Sequence, residues 1–103
     1  MHIVNIYLPQ VNNAGVAFTK DIYLRIRTEL IQKFGGLTQY DQVPAMGFWK
    51  ENADKPVKQD LMIYYEVICD RLTKKYWADF RLRMEKDFQQ TKILIVAHPI
   101  VEL

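Results

Sequence analysis

Between Asp60 and Cys69 every odd position is apolar: Leu61, Ile63, Tyr65, Val67 and Cys69. Strand side chains alternate between two faces, so this run predicts a strand with one continuously buried side. It is the strongest strand signal in the chain. Its even positions, Met62, Tyr64, Glu66 and Ile68, then point the other way, and only one of them is charged. A sheet built around this strand has one face for the core and a second, largely apolar face that needs an explanation.

The rest of the chain supplies the partners. Ile3 to Leu8 is a short branched apolar run ended by Pro9, which reads as a first strand. Residues 9 to 17 carry Pro9, Asn12, Asn13 and Gly15 without periodicity and form a connection long enough to hold function. Thr19 stands at an N-cap position, Asp21 in a first turn, and Phe18 and Tyr23 at hydrophobic-staple positions. Tyr23, Ile26, Leu30 and Phe34 recur at helical spacing before Gly35-Gly36, predicting a helix over about 20 to 34.

Leu37 to Tyr40 and Gly47 to Lys50 read as two extended pieces separated by Pro44, which removes a ladder donor and predicts a bent or edge strand. The polar segment Glu51 to Lys58, with Pro56, reads as a solvated hairpin loop. After the central strand, Asp70 or Thr73 can cap a second helix with Trp77, Phe80, Met84 and Phe88 on one stripe. Lys92 to Val101 closes the chain as a branched apolar strand, interrupted late by Pro99.

The order is β-α-β-β-α-β. Hairpin pairing and right-handed crossovers make the split βαβ arrangement the economical solution. The expected fold is an α+β ferredoxin-like sandwich, a four-stranded antiparallel sheet with two helices on one face, formed as one domain over residues 1–103. That length suits a single core, and with half the residues apolar the core needs neither disulfide nor metal.

The stretch Phe34-Gly35-Gly36-Leu37-Thr38, the triplet Gly47-Phe48-Trp49 and the turn Phe88-Gln89-Gln90 occur in that order before a closing strand. Across roughly residues 34 to 96 this pattern resembles an uncharacterised family of small bacterial proteins that carry Gly-Leu-Thr, Gly-x-Trp and Phe-x-Gln motifs on a ferredoxin-like fold. The resemblance implies a fold and no reaction. By their own physics the glycines suit helix termination and tight turns, and Trp49 suits hairpin packing.

Composition narrows the functional classes. Fourteen basic and twelve acidic residues leave a net charge of +2, too balanced for the positive field of a dedicated nucleic-acid binder. Cys69 is the single cysteine, which excludes an internal disulfide and any Cys-pair motif, and suits a reducing compartment. His2 and His98 lie at opposite ends without a ligand-spaced partner, so no metal site is expected. Gly35-Gly36 follows a helix instead of preceding one, which disfavours a phosphate loop and any nucleotide cofactor. No run reaches the roughly 18 apolar residues of a membrane span, and no secretory leader pattern opens the chain, so the expected location is the cytoplasm. The mixed charges of the second helix, from Arg71 to Asp87, read as a solvated face and not as a membrane-binding one.

Two functional readings follow from the uncovered face. Val4, Ile6 and Leu8 should face the helices, sending Ile3, Asn5 and Tyr7 outward, while the last strand offers either Leu94, Val96 and His98 or Ile93, Ile95 and Ala97. An apolar patch of this kind invites a cover. The leading expectation is a noncatalytic interaction or assembly module, a homodimer formed through Ile3, Tyr7, Met62, Tyr64 and Ile68, with the Asn12 to Gly15 loop and the 41–58 hairpin free for a protein partner. The competing expectation is a small-molecule binder or enzyme whose pocket on that face uses Tyr7, Tyr64, Glu66 and His98, with His2 as a further ionisable neighbour. No catalytic residue is assigned. For Glu66 the plain alternative is a solvated or interface ion pair, for His98 a surface residue near the chain end, and for Cys69 an inert packing thiol.

Overall fold

A computed structural model describes residues 1–50, 53–54 and 58–103, and of residues 41–47, 49 and 58–60 the backbone alone. The elements run β1 (His2–Pro9), α1 (Lys20–Phe34), β2 (Thr38–Trp49), β3 (Lys58–Cys69), α2 (Lys74–Asp87) and β4 (Leu94–Pro99). The four strands form one sheet in the order β2-β3-β1-β4, every neighbouring pair antiparallel. This is the expected α+β ferredoxin-like arrangement.

The alternation in β3 does what its pattern requires from Ile63 onward, whereas Leu61, near the start of the strand, is 40% exposed and not part of the expected buried side. Ile63, Tyr65, Val67 and Cys69 are buried beneath the helices together with Val4, Ile6 and Leu8 of β1. α1 contributes Ile22, Tyr23, Ile26 and Leu30, and α2 contributes Trp77, Phe80 and Met84, with Phe88 just beyond its end. Each large side chain buried here stabilises the fold by about 1.5–3 kcal/mol of transfer free energy.

Both helix starts lie where expected, at Thr19 and Thr73, in extended backbone. Neither threonine makes a side-chain cap hydrogen bond, so packing and not capping fixes these ends. Phe18 and Tyr23 both lie against Phe88, at ring-centroid distances of 4.9 and 5.8 Å, and the Tyr23 hydroxyl donates to the Pro9 carbonyl at 2.6 Å. The helix ends are better signalled. Gly35 takes φ 86° and its amide donates to Ile31 O at 2.8 Å. α2 ends in a Schellman turn: Gln89 has φ 53°, its amide donates to Lys86 O, and the Gln90 amide donates to Glu85 O.

β2 is the expected bent edge strand. Tyr40 pairs with Tyr64 and Ala45 with Met62, so the ladder slips across the segment that contains Pro44. The hairpin loop expected over 51–58 lies mostly outside the described residues, as does the Trp49 side chain. β4 is shorter than its apolar run because the Glu85 carboxylate takes the Ile93 amide at 3.0 Å before the ladder starts, and Pro99 closes it. The connection after β1 is a closed loop: Asn12 Oδ1 accepts the amides of Ala14 and Val16, both at 2.9 Å, around Gly15 at φ 80°.

Candidate functional site on the open sheet face

The register assigns the second sheet face residue by residue. Paired strand residues share a face, so Ile68, Ile3 and His98 form one row across the sheet, and Thr38, Glu66, Asn5 and Val96 the next. A third row is Tyr40, Tyr64, Tyr7 and Leu94. Of the two options for the last strand, Leu94, Val96 and His98 face outward, while Ile93 is buried and Ile95 packs on the core. Neither helix crosses this side, and Ile68, Tyr40, Leu94 and Val96 are exposed.

The third row is the main feature of the face. Tyr64 lies between Tyr7 and Tyr40, 5.1 Å from each by ring centroids, with interplanar angles of 47° and 42°. Three mutually tilted rings therefore form a row over strands β1, β3 and β2. The Tyr64 hydroxyl lies 2.8 Å from Asn5 Oδ1 and 3.2 Å from Glu66 Oε2, donating its one proton between them. Burial, and then the neighbouring Glu66 carboxylate, push the Tyr64 phenol up to about 12, which keeps it a donor. Asn5 is only 8% exposed although it faces away from the core. Its side chain is held by the Tyr64 bond, so the polar cluster is pre-set and partly desolvated.

The candidates named from sequence separate into two groups. Tyr7, Tyr64 and Glu66 are brought together, and Ile3, Met62 and Ile68 share their face. His98 shares it too, but its ladder partner is Ile3, and β1 stands between it and Glu66 at about 10 Å of strand spacing. His2 alternates with Val4 and lies on the helix side, where its Nδ1 is buried without a hydrogen-bond partner. A His–Glu acid–base couple is therefore not assembled in this arrangement. Cys69 is buried on the core face, and desolvation raises its thiol pKa, as an inert packing thiol requires. Tyr40 and Asn5 complete the cluster without having been singled out as site residues. Asn5 was legible as outward-facing; Tyr40 was not, because its register depends on the irregular ladder around Pro44.

Elsewhere the polar contacts are structural. Glu29 on α1 receives Arg83 Nη1 and Nη2 at 2.8 and 2.6 Å and the Tyr76 hydroxyl at 2.5 Å, tying the helices together. The Arg83 contact holds the Glu29 carboxyl below its usual range. A shallow cleft beside this pair encloses about 160 Å³, below the several hundred Å³ of ordinary ligand pockets. Among the described residues no three His, Cys, Asp or Glu side chains converge to hold a metal, and no helix is long and apolar enough to cross a membrane.

No family model and no curated protein matches the chain. Its fold is shared with phage SAM lyases. A structure of a phage SAM lyase in complex with S-methyl-5′-thioadenosine matches with a TM-score of 0.64 at 11% identity, covering 94% of this chain and 79% of that one. A phage SAM lyase in the apo state matches with a TM-score of 0.59 at 10% identity, over 94% and 78% of the two chains. At such identities the likeness is one of fold.

Proposed function

We propose that this protein is a small-molecule-binding domain whose site is the open sheet face, and that its ligand is an uncharged or cationic adenine nucleoside bearing sulfur. The observation that carries the reading is the Tyr40–Tyr64–Tyr7 row beside the hydrogen-bonded Asn5, Tyr64 and Glu66 cluster. A row of aromatic rings is a stacking platform for a base, worth about 1–3 kcal/mol per stacked base. Glu66 offers a carboxylate to the polar edge of the ligand, and the buried Asn5 amide fixes the Tyr64 hydroxyl beside it. Glu66 repels phosphate, which favours a nucleoside over a nucleotide or a nucleic acid. S-methyl-5′-thioadenosine, bound in the structure of similar fold, has that chemistry: an adenine, a ribose and a thioether without phosphate.

Calorimetric titration with S-methyl-5′-thioadenosine, and separately with SAM, tests the reading. Wild type should bind at least one of them, and Tyr7→Ala should weaken binding roughly tenfold or more, the loss of one stacking partner. Absence of binding by wild type to both would remove the proposal.

Self-association through the same face is the second reading, favoured by the exposed apolar side chains of Ile68, Leu94 and Val96 around the tyrosines. Here the protein is a noncatalytic assembly module and the rings are buried by a second copy. Tyr64→Glu would place a charge in that contact and dissociate it, and an unchanged mass would refute the interface.

A further inference from the structure

The two edges of the sheet are treated differently. β2 is protected in the ways edge strands usually are: its ladder slips between Tyr40 and Ala45, and Pro44 lies in the slip. β4 is less protected, with Pro99 alone removing an edge donor at its last position. From Leu94 to His98 it carries no bulge, no proline and no lysine or acidic residue, and Pro99 comes only at its end. Its open side is uncovered at Leu94 and Val96, and on the helix side Ile95 packs on the core while Ala97 is exposed. A regular apolar strand that leaves its edge unpaired is a template for a further strand.

The flanking charges say which strand. Lys92 and Glu102 are equidistant in sequence from Ala97, both are exposed, and neither has an ion-pair partner among the described residues. We propose that β4 pairs antiparallel with β4 of a second copy about a two-fold axis at Ala97, giving a continuous eight-stranded sheet. In that register Ala97 meets the partner's Ala97, Val96 meets the partner's His98, and Lys92 meets the partner's Glu102. The two-fold repeats the last pair, so two complementary charge contacts flank an uncharged ladder. This goes beyond the proposed function, because edge pairing leaves both open faces free for ligand.

Light-scattering mass over a dilution series tests the inference, with circular dichroism confirming that each variant is folded. Wild type should have twice the 12.2 kDa chain mass at the concentrated end. Ala97→Lys sets two like charges opposite each other at an exposed position and should give the monomer mass. Lys92→Glu should weaken the dimer several-fold, and Lys92→Glu combined with Glu102→Lys should restore it, since the swap rebuilds both contacts. A monomeric wild type, an Ala97→Lys variant that stays dimeric, or a double variant no tighter than Lys92→Glu would each overturn the pairing. Nucleoside binding by the monomeric Ala97→Lys variant keeps the face reading separate, because loss of the dimer should leave that affinity unchanged.

Discussion

Replacing Tyr64 by phenylalanine removes one hydroxyl and keeps the ring, so it isolates the polar half of the candidate site. The lost bonds run to Asn5 Oδ1 at 2.8 Å and to the Glu66 carboxylate at 3.2 Å. A neutral hydrogen bond contributes about 0.5–1.5 kcal/mol net, and a buried acceptor left alone costs about 1–3 kcal/mol. Glu66 is half-buried and rehydrates, whereas Asn5, 8% exposed, does so poorly. The expected loss is therefore about 1–2 kcal/mol, read from urea unfolding, with Tm falling by about 4–8 °C for each kcal/mol. Tyr64→Ala also removes the two ring contacts, worth about 0.5–1.5 kcal/mol each, so its loss should exceed that of Tyr64→Phe by at least that amount. The pH dependence gives a second readout. Tyr64 has a folded pKa of about 12 against an ordinary 10.0, so its protonated form is favoured by folding. Its contribution is complete below about pH 10 and is lost as pH rises towards 12. The alkaline limb of the stability curve should be shallower in Tyr64→Phe, although Tyr23, also raised to about 12, keeps part of it. A phenylalanine variant within about 0.3 kcal/mol of wild type, with an unchanged alkaline limb, would refute the hydrogen-bonded cluster.

Phe80 is fully buried between the helices and the sheet, so Phe80→Ala should cost about 3–5 kcal/mol by urea unfolding. Gly35→Ala should cost about 1 kcal/mol through backbone strain alone, since φ is 86° and an added Cβ meets nothing within 4 Å. Glu29→Gln should flatten the acid limb of stability: Arg83 holds the Glu29 carboxyl below its usual value, so its contribution is present at neutral pH and lost as pH falls through the folded pKa. Its neutral-pH cost should stay near 1 kcal/mol because the pair is partly solvated, and added salt should reduce it.

The fold was legible because the two periodicities are clean. The odd positions of 63–69 and the even positions of 4–8 mark one face, and Trp77, Phe80, Met84 and Phe88 mark one stripe. Gly35 announced its helix end through the left-handed backbone that it supplies, while Gln89 performs the same role without the usual glycine and could be noticed only as part of a motif. The site was half legible. Alternation placed Tyr7, Tyr64 and Glu66 on one face, but which residues touch depends on register, and register across β2 is decided by a slip of several residues that no local pattern encodes. The same limit separated His98 from Glu66: both face outward, and only strand order reveals that β1 lies between them. The Glu29, Tyr76 and Arg83 cluster had no signature, because its members come from two helices whose contact is set by core packing.

The central claim is that the tyrosine row on the open sheet face receives an adenine nucleoside, and amide and aromatic NMR shifts during titration with S-methyl-5′-thioadenosine test it most directly. The account predicts saturable shifts concentrated at Asn5, Tyr7, Tyr40, Tyr64 and Glu66, with α1 and α2 largely unmoved. Shifts confined to the cleft beside Glu29 and Arg83, or no shifts at millimolar ligand, would contradict it.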